Sequence, residues 1–306
     1  MRRFAAFLLV ASVVVVACGG GSDNRATHSD GRSDEPAEIG DVVVRTETFV
    51  DTSRPTDPPV ATPDRSLVTT IRFPDAGGPY PLIVLAHGFN GHPRKFGELT
   101  DAWARAGYVV ATPAFPLTND ELVGATTPSD YRNQPGDVSF VIDQVLALSR
   151  VKADPLHGLV DRHRIGVAGL SLGGVTTFGV TYNTCCRDAR IDAAITMAGA
   201  RFDYDGAYEL VDVPLLLMHG DADPSLPYSG SVEAYADAAP PKFFVTIIGG
   251  GHAPPFEDTD DPADEMVTAV TTDFWDLYLA KRPRVLDQLV ADASVAGLST
   301  IQYDAG

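Results

Sequence analysis

The sequence has few cysteines, few basic residues and no apolar segment as long as a membrane-spanning helix. Its three cysteines among 306 residues are too few for a small fold held together by disulfide bonds. Neither a cysteine/histidine spacing typical of zinc nor an H-E-x-x-H motif occurs, so the residues predict no metal site. With 23 basic against 41 acidic side chains, the surface is expected to repel nucleic acids and anionic lipid headgroups.

A short leader precedes the rest of the chain. Arg2 and Arg3 are followed by an apolar segment, residues 4–16, which is shorter than the about 20 residues that a membrane-spanning helix needs. Small residues then lead to Cys18, a pattern that resembles a bacterial lipoprotein signal in which the cysteine carries the lipid after cleavage. The alternative is an ordinary secretory signal with a chance cysteine. In both cases we expect export, and a lipidated protein would face the periplasm or the cell exterior from the membrane.

The remaining chain divides into a tether and one domain. We interpret residues 1–17 as the signal peptide and residues 18–41, which are rich in glycine, serine and aspartate, as a lipidated cysteine with a flexible tether. Residues 42–306 have the composition of a single folded domain and contain no internal repeat. Removing the leader with its two arginines leaves 21 basic and 41 acidic side chains, a net charge of −20.

Short apolar segments alternate with helical patterns along this domain. Two strand-like segments open it, at 42–50 and 66–73, and look like an antiparallel pair. The alternation that follows is typical of a mostly parallel sheet covered by helices on both faces, whose ligands gather beyond the carboxyl ends of the strands. We therefore predict an α/β fold of about eight strands, with further strands at 82–86, 107–112, 164–168, 193–197, 215–218 and 243–248 and helices at 94–106, 138–149, 174–182 and 264–280.

The most informative motif is G-L-S-L-G at residues 169–173, which places Ser171 between a strand and a helix. In this context G-x-S-x-G forms a nucleophile elbow, a tight turn in which glycine two residues before and after the serine avoids steric collision. The serine hydroxyl then projects above the sheet, beside a helix N-terminus that favours developing negative charge. The motif predicts Ser171 as a catalytic nucleophile.

Two later loops supply the partners that a serine nucleophile needs. His219 starts the loop H-G-D-A-D-P-S-L-P, in which Asp221 and Asp223 compete as the carboxylate that orients an imidazole. The familiar form of this loop, H-G-x-x-D-x-x-x-P, selects Asp223 and leaves Asp221 as a solvated or loop-capping carboxylate. His252 follows three glycines after the last predicted strand, in a loop that can bring its imidazole back to Ser171 as a general base.

The loop after the strand at 82–86 predicts the rest of the site. Its sequence H-G-F-N-G would place the backbone N–H of Phe89 opposite that of Leu172, so that the two groups form an oxyanion hole. A glycine turn that merely starts a helix is the alternative. His87 and His219 are expected to brace their loops and not to take part in catalysis.

These motifs resemble the α/β-hydrolase superfamily, and within it the group of dienelactone hydrolases, platelet-activating-factor acetylhydrolases and cutinase-like polyesterases. The resemblance covers residues 42–281 and includes the segments D-T-S-R-P at 51–55 and Y-R-N-Q-P-G-D at 131–137. It implies an α/β-hydrolase fold with neither a metal nor an organic cofactor. The site residues that it implies are Ser171 as nucleophile, Asp223 as acid, His252 as base, and the backbone amides of Phe89 and Leu172 in the oxyanion hole.

Departures from this group bear on the substrate. Its polyesterases usually have methionine after the nucleophile, where this chain has Leu172, and a tryptophan after the next strand, where it reads A-G-A-R at 198–201. Its dienelactone hydrolases usually use cysteine, so Ser171 indicates ordinary esters. We expect a carboxylic ester hydrolase of the cell envelope that acts on small-molecule or lipid esters through an acyl-enzyme. Peptide cleavage or acyl transfer by the same residues, and a catalytically silent binding protein, are the alternatives.

Several features keep two interpretations each. Cys185 and Cys186 form either a strained vicinal disulfide or two small, semi-buried thiols. The acidic loop 257–261 either binds calcium or is solvated. The segment 115–136 is long for a connection and could overhang the site. The side chains of Phe89, Phe115 and Phe256 could form an acyl pocket or pack as ordinary core. The tail 283–306 could dock on the domain or on the membrane.

Overall fold

A computed structural model describes residues 39–122, 124–211 and 213–306. The predicted signal peptide at 1–17, Cys18 and the tether up to residue 38 lie outside these described residues. Within the described ranges, no helix combines the length and the apolar character that crossing a bilayer requires.

In the described part of the chain, nine strands form one sheet, in the order β1-β2-β4-β3-β5-β6-β7-β8-β9. Strands β3 to β8 run parallel to one another, whereas β1, β2 and β9 pair antiparallel with their neighbours. The predicted α/β fold is thus confirmed, with one strand more than expected at the far edge. The strands are β1 (Val42–Asp51), β2 (Arg65–Pro74), β3 (Tyr80–Ala86), β4 (Val109–Ala114), β5 (Val160–Leu170), β6 (Ile191–Met197), β7 (Leu215–Gly220), β8 (Lys242–Ile247) and β9 (Ser299–Asp304).

Among the residues that the structure describes, six α-helices accompany the sheet, and four of them lie where the sequence predicts helices. The helix α2 begins before the predicted residue 138 because Pro135, which has no N–H to lose, occupies its first turn. A 3-10 turn, Pro93–Phe96, replaces the predicted first turn of α1. The helices are α1 (Gly97–Arg105), α2 (Gln134–Leu148), α3 (Leu172–Tyr182), α4 (Tyr228–Asp237), α5 (Asp264–Tyr278) and α6 (Leu286–Asp292), of which α4 and α6 were not predicted.

Alternate residues of the central strands pack on opposite faces of the sheet. On β3, Ile83 and Leu85 belong to a cluster that includes buried residues of α1, α5 and α6. Leu82 and Val84 belong to a different cluster, which includes buried residues of α2. Because side chains alternate along a strand, these memberships put helices on both faces. A continuous apolar sequence is therefore required in β3, as predicted for a doubly covered strand.

The order of the strands creates a crevice between β3 and β5. The chain leaves β3 for β4 on one side and returns to β5 on the other, which makes this position the point where the strand order reverses. Ligands of open α/β sheets bind outside the carboxyl ends of the strands at such a point. The loop that begins at His87 follows β3, and Ser171 follows β5, so both predicted parts of the site meet there.

The tail 283–306 docks on the domain. Leu289 and Ala293 are fully buried in the same cluster as the buried residues of α5. Strand β9 pairs along its whole length with β8. Of the two interpretations given for this segment, the structure shows docking on the domain.

Candidate active site

The turn at Ser171 has the geometry that the motif predicts. Ser171 lies between the end of β5 and the start of α3 with φ 56° and ψ −116°, a left-handed conformation that residues with side chains rarely adopt. A methyl group on Gly169 would overlap the carbonyl oxygen of Gly173, and one on Gly173 would overlap the carbonyl oxygen of Ala86. Both glycines are therefore required by close backbone approach.

The structure brings together the three side chains that the sequence predicts. The Oγ atom of Ser171 lies 2.7 Å from Nε2 of His252, and Nδ1 of His252 lies 2.6 Å from Oδ2 of Asp223. The three residues follow β5, β8 and β7, respectively. An imidazole between a hydroxyl and a carboxylate can accept a proton from the hydroxyl while the carboxylate stabilises the resulting charge.

The carboxylate of Asp223 is fully buried and strongly hydrogen-bonded. Its Oδ1 accepts from the backbone N–H groups of Ser225, at 2.7 Å, and Leu226, at 3.0 Å, and its side chain has no exposed surface. Burial acts to raise the pKa of Asp223, but the hydrogen bonds from His252 and from these two N–H groups outweigh it. The pKa therefore lies below its ordinary value, and the group is a carboxylate at neutral pH.

Asp221, the competing acid, has a different position. Its Oδ1 accepts from the backbone N–H of Gly249 at 2.6 Å in an exposed loop. Gly249 takes φ 70°, a conformation that favours glycine. Asp221 thus ties down the glycine turn that leads to His252, in agreement with the loop-capping interpretation.

The loop after β3 lies directly against Ser171. A methyl group on Gly88 would be 3.1 Å from the Cβ of Ser171, a tight contact that shows how closely the loop approaches the serine. Asn90 donates its N–H to the carbonyl of Thr118 at 2.8 Å. Among the described residues, the N–H of Phe89 has no backbone or side-chain acceptor, and Leu172, as the first residue of α3, has no acceptor within the helix. The N–H of Leu172, next to Ser171, and the N–H of Phe89, next to Gly88, are therefore both available.

His87 holds this loop in place through hydrogen bonds at both of its ring nitrogens. It is buried, with Nδ1 2.7 Å from the carbonyl oxygen of Gly88 and Nε2 accepting from the N–H of Phe115 at 3.0 Å. Burial lowers the pKa of His87 to about 4. The ring is therefore neutral at neutral pH, with its proton on Nδ1, and it ties the loop to the segment after β4.

The described residues of the segment 115–136 support the loops of the site through hydrogen bonds. Thr118 holds the loop through Asn90, and Gln134 bonds to Thr118 at 2.8 Å. Tyr131 donates its hydroxyl to the carbonyl of Asp203 at 2.6 Å, which links the segment to the loop after β6.

The three phenylalanines proposed for an acyl pocket separate into two groups. Phe115 and Phe256 are buried members of the two large clusters, so they are core residues. Only Phe89 is exposed, at 38 %.

Aromatic residues pack around Leu172, and the sequence alone does not predict this cluster. Leu172 and Tyr204 are buried in one small cluster, against which Tyr131 and Phe202 pack. The rings of Tyr131 and Phe202 meet edge to face with centroids 5.4 Å apart. Little in the sequence indicates this cluster, because Phe202 and Tyr204 lie in a loop without periodicity.

The acidic loop 257–261 caps a helix. Asp258 accepts from the backbone N–H of Gly97 at 2.6 Å and from that of Glu98 at 3.1 Å, at the N-terminus of α1, where negative charge is favoured. Within the described residues no group of three or more His, Cys, Asp or Glu side chains is arranged to hold a metal ion.

Cys185 and Cys186 are joined by a disulfide bond. Of the two interpretations given for this pair, the structure has the vicinal bridge. Cys186 packs against the cluster of Leu172 and Tyr204.

Comparison with known proteins gives one family and one related fold. The family model described as "PETase: PET hydrolase-like" matches residues 60–271, which is more than half of the chain. The chain is also similar to a solved structure, a ferulic acid esterase from Streptomyces cinnamoneus. The two share 23 % sequence identity with a TM-score of 0.61, over 80 % of this chain and 92 % of that one. At this identity the likeness shows the fold alone. No curated protein matches the sequence.

Proposed function

The chain belongs to the PET hydrolase-like family and is a carboxylic ester hydrolase with the α/β-hydrolase fold, and on that premise we propose that Ser171, His252 and Asp223 form its catalytic triad. The observation that carries the proposal is the continuous hydrogen-bonded series from Ser171 Oγ through His252 to Asp223 Oδ2, with distances of 2.7 and 2.6 Å.

The reaction begins when Ser171 Oγ attacks the carbonyl carbon of a bound ester. His252 Nε2 takes the hydroxyl proton, and the carbonyl π-electrons move to oxygen to give a tetrahedral intermediate. We assign the N–H groups of Phe89 and Leu172 to this oxyanion, since both are free of other acceptors in the described structure and flank Ser171. Removing one such donor typically lowers kcat by about 10²–10³-fold.

Collapse of the intermediate breaks the bond to the leaving alcohol. The imidazolium of His252 gives its proton to the departing oxygen, which leaves an acyl group on Ser171. Water then attacks the acyl carbonyl, His252 again takes the proton, and the second collapse releases the acid and restores the serine. Throughout, the Asp223 carboxylate remains ionised because its pKa is lowered, so it stabilises the imidazolium and does not take up its proton.

Active-site labelling tests the nucleophile. A fluorophosphonate probe is expected to label the wild-type protein and not Ser171→Ala, and hydrolysis of a p-nitrophenyl ester is expected to be lost in parallel. The matched control is Ser294→Ala, since Ser294 is exposed and bonds only within its own turn. Equal labelling of the wild type and Ser171→Ala would refute the proposal.

The ester preference is tested with matched substrates. The p-nitrophenyl ester and the p-nitroanilide of the same acyl group differ only in the bond that is cleaved. We expect turnover of the ester and none of the anilide. Faster cleavage of the anilide would favour the alternative of peptide cleavage, and labelling without turnover of either would favour acyl transfer to another acceptor.

We also propose soluble or lipid esters, and not polyesters, as substrates. The proposal rests on Leu172 and on the segment A-G-A-R at 198–201, which stand where polyesterases of this group usually carry methionine and tryptophan, respectively. Hydrolysis of a series of p-nitrophenyl esters with increasing acyl length, compared with release of acid from a polyester film, measures this preference.

For location, we propose a lipoprotein of the cell envelope. Support comes from the sequence alone, from Arg2, Arg3 and the apolar segment that leads to Cys18. Full-length protein is expected to incorporate an alkyne-tagged fatty acid and to enter the membrane fraction, and Cys18→Ala is expected to lose both properties. Release of the wild type as an unlipidated secreted protein would refute the lipid anchor.

A further inference from the structure

Asp223 accepts hydrogen bonds from two imidazoles on the same oxygen. His252 Nδ1 lies 2.6 Å from Oδ2, and on the other side His219 Nε2 lies 3.0 Å from it. The side chains of His219 and Asp223 have no exposed surface. From the sequence alone, His219 is expected only to brace its own loop.

The protonation of His219 follows from its partners. A carboxylate oxygen can only accept, so Nε2 of His219 must carry the proton. Nδ1 of a neutral ring is then an acceptor, and it lies 2.7 Å from Oγ of Ser231, a buried residue of α4. The hydroxyl of Ser231 must therefore donate to Nδ1. Burial lowers the pKa of His219, which agrees with a neutral ring.

The surroundings of His219 hold the ring in place. Tyr228, at the start of α4, meets the imidazole edge to face with centroids 5.8 Å apart. The titratable groups near the ring are Asp223, His252 and Tyr228. The hydroxyl of Tyr228 is turned to Thr246, at 2.5 Å, so it does not compete for His219.

With His219 in place, the carboxylate of Asp223 has four donors. Two backbone N–H groups, of Ser225 and Leu226, bond to Oδ1, and two imidazoles bond to Oδ2. An ionised carboxylate has about four lone-pair sites, so it cannot rotate without breaking a hydrogen bond. Its plane, and with it the direction of the bond to His252, is fixed.

We propose that His219, anchored at Nδ1 by Ser231, is a positioning residue that fixes Asp223 Oδ2 against His252. The inference rests on the proposed function, since it assigns His219 a role in the triad of that same site. It extends the hydrogen-bonded series to five side chains, in the order Ser231, His219, Asp223, His252 and Ser171.

Removing the donor has two consequences that packing alone would not produce. The carboxylate gains freedom to turn, so fewer molecules hold His252 in the productive orientation, which lowers kcat more than it changes KM. In addition, Oδ2 no longer shares its charge between two donors and becomes a stronger acceptor for His252. The imidazolium is then favoured to higher pH, so the acid-side midpoint of the kcat/KM profile moves upward.

The experiment compares His219→Leu with His219→Gln on a soluble ester, using full-length protein. Leucine fills the space without a donor, whereas the amide of glutamine can still donate to Asp223. For His219→Leu we expect kcat to fall about 10-fold or more, KM to change less than about 2-fold, and the acid-side midpoint to rise. His219→Gln is expected to recover most of kcat, and the exposed His163→Leu is the control for loss of a histidine.

A second pair of variants tests the inference without changing His219. Ser231→Ala removes the hydroxyl that bonds to Nδ1, so the His219 ring loses its second anchor and holds Asp223 less firmly, and kcat is expected to fall. Ser231→Thr keeps a hydroxyl and is expected to retain activity. This pair decides the matter if His219→Leu does not fold.

The inference is overturned if His219→Leu and Ser231→Ala lower the melting temperature but leave kcat and the acid-side midpoint unchanged. That outcome is distinct from failure of the proposed function, which is read from Ser171→Ala. An inactive Ser171→Ala with a fully active His219→Leu would reject the positioning role alone.

Discussion

At Ser171 the backbone adopts a conformation that side chains disfavour, and its surroundings hold it there. Such strain costs on the order of 1–3 kcal/mol and persists only where the rest of the structure imposes it. Here the N–H of Ser171 donates to the carbonyl of Met197 at 2.9 Å, and Gly169 and Gly173 allow β3 and α3 to approach closely. Part of the free energy of folding therefore serves to hold the Ser171 hydroxyl in the position from which it attacks.

Replacing Gly173 with alanine is expected to damage both stability and activity. The added methyl group would overlap the carbonyl oxygen of Ala86 at the end of β3, and because backbone cannot easily move, the strain should cost about 1–3 kcal/mol. The turn that presents Ser171 would shift with it. We expect a lower melting temperature by calorimetry and a clear loss of kcat on a soluble ester.

Gly230→Ala is the matched control for that substitution. Gly230 lies in α4, and a methyl group there would meet no atom within 4 Å. Alanine in a helix is favoured over glycine by roughly 0.5–1 kcal/mol, so the melting temperature should stay the same or rise. If the two variants behave alike, close approach at Gly173 is not what the elbow depends on.

Among the secondary-structure elements, α5 and α6 meet through acidic side chains. Asp273 on α5 lies beside Asp292 on α6 and near Asp276. Burial first, and then the charges of these two carboxylates, raise the pKa of Asp273 to about 7. A raised pKa means that the folded state prefers the protonated acid, so stability from this group is present at low pH and is lost as pH rises toward 7.

Asp273→Asn is expected to remove this loss. Below about pH 4 the variant and the wild type should melt alike, and the variant's advantage should grow between pH 4 and 7 and then stay constant. Calorimetry at pH 4, 6 and 8 measures this trend. Asp287→Asn, a change on the exposed face of α6, should give no such trend. An advantage of Asp273→Asn that is equal at all three pH values would contradict the explanation.

For the whole molecule, a buried ion network joins the opening strands to the helix layer. Arg65 of β2 is fully buried and bonds to Asp137 of α2 at 2.6 Å and to Asp130 at 2.7 Å. Arg54 reaches the same Asp137 at 2.9 Å. The two carboxylates raise the pKa of Arg65, which keeps its charge at every accessible pH.

Arg65→Ala is expected to be among the most destabilising substitutions in the chain. It would leave the buried Asp130 without a counter-charge and Asp137 with Arg54 alone, which costs about 3–5 kcal/mol. Urea denaturation should show the loss as a lower midpoint. Arg105→Ala is the control, because its exposed pair with Asp101 should contribute only about 0.3–0.5 kcal/mol. Similar midpoints for the two variants would argue against the network as a major source of stability.

The sequence was most informative where a local pattern determines a local conformation. The elbow at Ser171 and the glycines before His252 could be predicted because a few adjacent residues decide those turns. The segments at 51–55 and 131–137 could be singled out, but not explained, since Arg54 and Asp137 are distant in sequence and meet only in the folded chain.

Features that depend on long-range pairing were missed. Strand β9 is short and mostly exposed, so its sequence has no apolar run, and its partner β8 lies far away in the chain. The contact of His219 with Asp223 was likewise hidden, because the four-residue spacing occurs in a loop where periodicity predicts nothing. In both cases tertiary structure, and not local propensity, decides the outcome.

Ser171, Asp223 and His252 lie in the loops after three different strands. Ester hydrolysis can therefore report on the folding of the chain. Ser171 and His252 are 81 residues apart in the chain, and His252 and Asp223 are 29 apart. Contacts of such separation form late, since closing long loops is slow. The return of hydrolysis during refolding would therefore time the assembly of β5, β7 and β8 into one sheet. Comparison with the faster return of helical circular dichroism would measure the interval between secondary structure and a complete sheet.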